Sequence, residues 1–418
     1  MKQLDRRSLI KATVGAAGAV ALASGSAAPR GKSGPKPTGE QLDRAAAAPV
    51  LKLDGLKSPV IIESMTLLRS GSDYMVRVRS KDGAEGVAVA NPPRPEYLDR
   101  IFKNLIAPFF VGKDARDLEN LLWELYRRES NYKMYGLAFW SPQAWAEFAI
   151  LDMLGRIAGK PMGELIGGVA RREIPVYVAS ERRDTTPEQE VEYLHQLVEK
   201  SGLKALKFRV GGRMSRNADA MPGRTEKLIP MVRKSFGDGF DIHADSNSSY
   251  DVPNAIRVGR LLQEIQAVYF EEPCQFDHFD EMKAVRDQLA IPVAAGEQEF
   301  SDWRFRWTIA NRGVDIVQPD LFYYGGMIRS MRVARMANLA EMPTTVHISD
   351  GFGFVYMLQF ASAAPRIGPY QEYKLGIEKY GGWFDPPIVV KAGKMLVPSG
   401  PGVGIQDPAL LLRDAKEV

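Results

Sequence analysis

The sequence holds one cysteine, Cys274, so no disulfide can form within the chain and no cysteine-clustered zinc site exists. It holds four histidines, which leaves few candidates for imidazole chemistry. No apolar run reaches the ~20 residues that a membrane helix needs. The weakly apolar stretch over residues 12–23 is short and rich in Ala and Gly, so stable membrane insertion is not expected. A large charge of one sign is also missing. The formal net charge is +4, and residues 1–28 carry Lys2, Arg6, Arg7 and Lys11 against Asp5, which leaves the rest near +1. That balance gives no argument for a nucleic-acid partner.

The first 28 residues read as a separate unit. Asp5-Arg6-Arg7-Ser8-Leu9-Ile10-Lys11 resembles a twin-arginine export motif, with Asp where Ser or Thr is usual. The apolar stretch follows, and small residues near Ala23 and Ala28 offer cleavage sites. A signal peptide over 1–28, with export of the folded chain to the periplasm, is the expectation. Residues 29–49 are rich in Pro, Gly, Lys and Ala and lack periodicity, so 29–57 reads as a flexible leader.

The 418 residues exceed one typical core and suit a barrel plus a second domain. Between 58 and 171, alternation over Val60–Leu68 and Tyr74–Ser80 predicts a hairpin turning at Ser70–Asp73, and a third strand covers Gly86–Ala90. Helical periodicity then runs to Ile166, with a helix start expected at Ser141-Pro142. Strands followed by helices describe an α+β capping domain. Between 172 and 376, short apolar runs alternate with helix patterns, giving eight strands and seven helices: a modified (β/α)7β barrel of the TIM type. An extra loop, Gly211–Gly223, interrupts the rhythm after the second barrel strand. The Pro/Gly-rich tail, 377–418, is expected to return to the capping domain.

Charged residues recur where the barrel strands end. Asp245, Glu271 and Glu297 follow one another at 26-residue steps, one strand, loop and helix each. Neighbouring strands lie about 4.8 Å apart, so three carboxylates at one level would repel. A hard divalent cation resolves that repulsion, and magnesium takes oxygen ligands while leaving positions open for substrate. Asp320 and His347 end the next two strands, and a carboxylate beside an imidazole makes a general base. His195, His243 and His278 lack such a partner; His243 shares the face of Asp245 and is expected deeper in the barrel. Lys207 and Arg209 are two apart on the second strand, so both point inward, where they could bind a substrate carboxylate. Glu372 ends the last strand and could donate a hydrogen bond to a developing enolate if protonated, orient substrate, or sit in an ion pair. Asn247 could bind a substrate hydroxyl, although turn chemistry explains it nearly as well.

These residues resemble the enolase superfamily, and within it the mandelate racemase-like group. The segments that carry the resemblance are Leu-Lys-Phe-Arg-Val-Gly, Asp-Ser-Asn, Phe-Glu-Glu-Pro, Ala-Gly-Glu, Gln-Pro-Asp with a later Gly-Gly, Val-His and Gln-Glu-Tyr. The resemblance covers about residues 58–405. It implies one Mg2+ per subunit on Asp245, Glu271 and Glu297, a His347–Asp320 base next to a substrate carboxylate, and Glu372 at the enolate oxygen. It also implies cap loops near Ser70–Asp73 and Asn91–Arg94 that close over substrate, and a homo-oligomer. The superfamily's use of a Lys or His base with magnesium is itself a worked case of tuned acid–base chemistry. One departure bears on the reaction. The family's racemases commonly carry Lys-X-Lys on the second strand, with the second Lys as a base. Here Arg209 stands there, and a guanidinium holds its proton above about pH 12. The expectation is a dehydratase of a sugar acid, an aldonate or aldarate, with a metal-stabilised enediolate and a 2-keto-3-deoxy product. The alternatives are a racemase or epimerase and, behind it, an exported acid-sugar-binding protein without turnover. Selectivity is expected to lie in the cap loops and in Met214–Gly223.

Overall fold

The computed structural model describes residues 34–418 apart from 93, 349 and 350. The expected signal peptide, and the export it implies, lie outside the described residues, as does Pro93 of the second cap loop.

The capping domain opens with an antiparallel meander, β1 (Ile62–Ser70), β2 (Asp73–Ser80) and β3 (Glu85–Val89). Its main helix, Leu137–Ala158, packs on β3 through Gly86, where a Cβ would meet Ala149 O at 2.3 Å. The barrel follows as β4 (Glu173–Ala179), β5 (Ala205–Arg209), β6 (Asp241–Asp245), β7 (Phe270–Glu271), β8 (Val293–Ala295), β9 (Ile316–Val317) and β10 (Gln371–Tyr373). Neighbours from β4 to β9 pair in parallel. The position between β9 and β10 is held by single bridges, Val317 to Thr344, Asp320 to His347 and Thr344 to Ile367. β10 then closes on β4, with Glu372 opposite Tyr177. Every residue of β5 is buried, because helices cover the outer face and side chains fill the inner one. After β10 the chain makes only a 3-10 turn, Ile377–Trp383, where an eighth helix would stand.

Three expectations need correction. The leader is ordered where it is described: Gly39–Ala47 is a helix with a capping box between Thr38 and Gln41. It buries Leu42 fully, and Asp43 meets Arg306 at 2.6 Å, so docking supplies the stability that local periodicity lacks. The long cap helix begins at Leu137, with Gly136 at φ 119 before it, and runs through Pro142. Pro142 forfeits one ladder hydrogen bond, and burial of the helix on nearly all sides outweighs that loss. The tail has two destinations rather than one. A hairpin of β11 (Val390–Lys391) and β12 (Lys394–Leu396) pairs with the start of β4 and closes the barrel floor. The rest returns to the cap as expected: Val403 N donates to Asp152 at 2.8 Å, Gly402 bridges to Pro161, and the last strand, β13 (Lys416–Glu417), pairs with β1.

Cap and barrel are joined through Glu147. Its Oε1 accepts from Ile328 N at 3.0 Å, at the start of the barrel helix Met327–Leu339. Gly326 makes this approach feasible: at φ 114 it carries no Cβ, which would lie 2.3 Å from Glu147 Oε2. Burial pushes the Glu147 carboxyl up from 4.5 to about 8 despite the helix N–H groups that oppose it. In the unfolded chain the group ionises near 4.5, so between 4.5 and about 8 only the folded state keeps the proton. Stability contributed by this group therefore falls as pH rises through that window. Glu147→Gln is expected to flatten the decline of the unfolding midpoint between about pH 5 and about pH 8. Denaturant titrations across that range check it, and parallel curves for both proteins would contradict it.

Candidate active site

Strand register brings the predicted residues together at one end of the barrel. Arg209 stands opposite Asp245, and Asp245 opposite Glu271. Glu297 follows β8 by two residues, after Gly296 at φ 130. Carboxylate oxygens of Asp245, Glu271 and Glu297 all lie within 4.8 Å of one another, and all three side chains are buried. At that spacing two full charges repel by about 3 kcal/mol at an effective dielectric near 20. The donor set is oxygen only, which fits a hard ion such as magnesium rather than a soft one.

Two buried cations face this cluster. Lys207 Nζ donates to Glu271 Oε1 and Oε2 at 2.9 and 3.0 Å, and lies 3.2 Å from Glu372 Oε1 and 3.8 Å from Asp245 Oδ2. Arg209 contacts Asp245 Oδ2 through Nη1, donates to Glu181 Oε1 at 2.7 Å, and donates to Ser180 O at 3.0 Å. Where a substrate carboxylate was expected, both meet carboxylates of the chain itself. They are engaged with the site's own acids, because a buried carboxylate draws the nearest cation. Burial works against the charge of both groups, but the surrounding carboxylates outweigh it and raise their pKa values.

His347 Nδ1 donates to Asp320 Oδ2 at 2.6 Å, and its Nε2 lies 3.5 Å from Glu297 Oε2. Asp320 also accepts the backbone N–H groups of Phe322 and Tyr323, each at 2.7 Å, so the imidazole is held by a fixed carboxylate. Burial alone would push His347 down; Glu297 and Asp320 together push it up to about 9. His243 lies below the site, fully buried, with Nδ1 on Leu206 O at 3.0 Å.

Glu372 departs from one expected role. Burial alone would raise its pKa, but Lys207 and Lys374 hold it well below the usual carboxylate range. It therefore stands as an ion-paired carboxylate rather than a proton donor. Asn247 departs too. Its Oδ1 accepts from Arg183 at 2.6 Å and from Arg209 at 3.4 Å, and its Nδ2 donates to Asp245 and Glu272 at 3.2 and 3.3 Å. All its polar atoms are engaged within the protein, so it bridges the acids and the cations instead of presenting a free amide to a hydroxyl.

Four residues join the site without having been singled out. Glu181 lies just beyond β4 and pairs with Arg209 and, at 2.9 Å, with Lys374. Its position at a barrel strand end was a signal of the same kind as the others. Lys374 follows Glu372 by two residues and so shares its side of the strand. Glu272 should face outward by alternation from Glu271, but its φ of 43 breaks the strand and keeps it inside, buried, with Oε1 unpartnered. Burial, then Glu297 and Glu271, raise its pKa well above the ordinary value. Arg183 carried no sequence signal.

Residues 189–407 match a family profile described as enolase C-terminal domain-like, which spans half of the chain. Residues 52–167 match the mandelate racemase/muconate lactonizing enzyme N-terminal domain. The chain belongs to the mandelate racemase/muconate lactonizing enzyme family of the enolase superfamily. Arabinonate dehydratase of Saccharolobus solfataricus is 27% identical over 72% of this chain and 79% of that protein. A Roseobacter denitrificans protein provisionally named a racemase is 33% identical, with a TM-score of 0.78 over 86% of this chain and all of the other. A Paracoccus denitrificans mandelate racemase/muconate lactonizing protein, solved with magnesium, is 26% identical with a TM-score of 0.76 over 86% and 99% of the two chains. This mandelate racemase-family chain is therefore an enolase-superfamily enzyme with a (β/α)7β barrel and a cap.

If the three carboxylates hold the ion, magnesium stabilises the folded chain. At about 100 times its Kd the gain is about 2.7 kcal/mol. Adding magnesium to chelator-treated protein is expected to raise the melting midpoint, and Glu271→Gln to remove most of that rise. An undiminished rise in the variant would place the ion elsewhere.

Proposed function

We propose that the protein is a magnesium-dependent dehydratase of a sugar acid, an aldonate or aldarate, that forms a 2-keto-3-deoxy acid. The observation that carries this reading is the asymmetry of the two barrel walls. One wall carries the His347–Asp320 pair, while the other carries cations held in their charged form by buried carboxylates. Racemisation needs a base on each face of the α-carbon; elimination needs one base and one acid. Lys207 and Arg209 are poor bases in these surroundings.

Asp245, Glu271 and Glu297 would hold one Mg2+ per subunit. When bound, the ion would withdraw electrons from the substrate carboxylate and offset the Glu297 charge that keeps His347 protonated. His347 Nε2, with Nδ1–H fixed on Asp320, removes the α-proton. The electron pair moves to the Cα–Cβ bond as the β-hydroxyl departs, and the imidazolium returns its proton to that hydroxyl as it leaves as water. The resulting enol tautomerises to the keto acid. Lys207 sits beside Glu271 and Glu372 and keeps a positive charge near the developing negative one. Relatives named as arabinonate and D-xylonate dehydratases, at 27% and 26% identity, support the same reaction class. The twin-arginine-like start supports action in the periplasm after folded export.

The 33% identical structure provisionally named a racemase favours a second reading, epimerisation, with Lys207 as the opposing base. The two differ in a single experiment. Incubation of a stereochemically broad panel of aldonic and aldaric acids with magnesium in heavy water is expected to give 2-keto acid. Deuterium in both epimers without loss of water would indicate the epimerase instead. His347→Asn is expected to lower keto-acid formation by about 100-fold or more and to abolish α-proton exchange. Full activity in that variant would refute the assignment of the base.

A further inference from the structure

The extra loop after β5 is bound to the exit of the metal strand. Met214 N donates to Asn247 O at 3.0 Å, and Asn217 N to Ser249 O at 2.7 Å. Met214, Arg216, Asn217, Asn247 and Ser248 all take positive φ along these two segments, which is costly away from glycine. Backbone strain of this kind persists where the surroundings over-determine it, and here it fixes the loop against the barrel mouth.

Several guanidinium groups converge at that junction, and their partners differ. Arg209 is neutralised by Asp245 and Glu181. Arg224 donates to Thr185 O at 2.7 Å and Arg209 O at 2.9 Å and lies 3.6 Å from Glu190. Arg183 forms no ion pair among the described residues, and Glu181 compensates it only at a distance. Among the described residues its side chain bonds only the neutral Asn247 Oδ1, at 2.6 Å, and its Nε is buried with no partner. Glu181, two residues before it, is taken by Arg209 at 2.7 Å and Lys374 at 2.9 Å. Burial lowers the Arg183 pKa to about 9, the charges of Arg209 and Arg213 add to the effect, and Glu181 offsets only part of it. Arg213 is exposed at the start of the loop and meets no carboxylate among the described residues. A half-buried cation facing other cations, with an amide where an acid would be expected, marks a place for an anion.

We propose that Arg183 and Arg213 form a second anion site at the barrel mouth and that it receives the distal carboxylate of a sugar diacid. The substrate is then an aldarate rather than an aldonate. The inference rests on the acid-sugar dehydratase reading for the identity of the ligand, not for the existence of the site. Asn247 separates the two charge regions: its Nδ2 faces Asp245 and Glu272, and its Oδ1 faces Arg183. One end of a diacid would meet the metal cluster and the other the guanidinium groups, whose planar donors match a carboxylate.

Calorimetric binding to magnesium-loaded His347→Asn protein tests this without turnover. The probes are five- and six-carbon aldarates and the aldonates of matching configuration. A charge-assisted pair predicts aldarates at least about tenfold tighter. Arg183→Met is expected to weaken aldarate binding at least about tenfold more than aldonate binding, and Arg183→Lys to keep part of the preference. Equal binding of both classes would overturn the proposal. So would a uniform loss for both classes in Arg183→Met, which would make Arg183 a positioning residue for Asn247. Tighter binding of a phosphorylated aldonate than of any diacid would overturn the carboxylate assignment. The two readings fail separately. Diacid preference in binding without keto-acid formation by the wild-type enzyme would refute the dehydratase and sustain the site. Dehydration of aldonates and aldarates alike would do the reverse.

Discussion

Mutual repulsion of buried carboxylates is the constraint on which the barrel mouth depends. Asp245, Glu271 and Glu297 meet within 4.8 Å, with Glu272, Asp320 and Glu372 also buried around them. Removing even one such charge from water costs several kcal/mol unless it is paired. The site meets that cost with Lys207, Arg209, Lys374 and His347, each in contact with at least one acid. The same pairing that makes the cluster tolerable also sets the chemistry. It holds the cations in their charged forms and fixes the His347 imidazole against Asp320.

The scaffold keeps these charges in register. β5, β6 and β7 align Arg209, Asp245 and Glu271 across consecutive strands, a placement that a one-residue slip would turn outward. Beyond the strands the backbone leaves the ladder in strained conformations, at Asn247, Ser248 and Glu272, so that neighbouring side chains reach the same space. The capping domain is fixed to the barrel by a buried carboxyl, Glu147, seated at a helix start that only glycine would permit. The tail closes the barrel floor through β12 before its last strand joins β1, so the two domains share one chain end.

Much of the site could be read directly from residue spacing. The 26-residue steps that place acids at strand ends depend only on the length of a strand–loop–helix unit. Period two places Lys207 and Arg209 on one face, and it also places His243 beneath Asp245. Glu181 and Lys374 obey these same rules. Glu272 and Arg183 do not: alternation points the first outward until its φ of 43 reverses it, and the second comes from an irregular loop. The ordered leader helix and the early start of the long cap helix were hidden for a related reason. In both, burial against another element overrides a weak or misleading local pattern.

The sequence by itself determined the barrel, the cap, the cluster of three carboxylates and the His–Asp pair, because each follows from periodicity along the chain and from the chemistry of the residue at a strand end. Tertiary structure alone decided which acid each cation faces. It bound Lys207 to Glu271, turned Glu372 into an ion-paired carboxylate, made Asn247 a bridge, and set Arg183 against the neutral Asn247 Oδ1. Those outcomes depend on distances of a few ångströms between segments far apart in the chain. Coulomb interaction in a poorly screened interior varies steeply over such distances, and no local pattern encodes them.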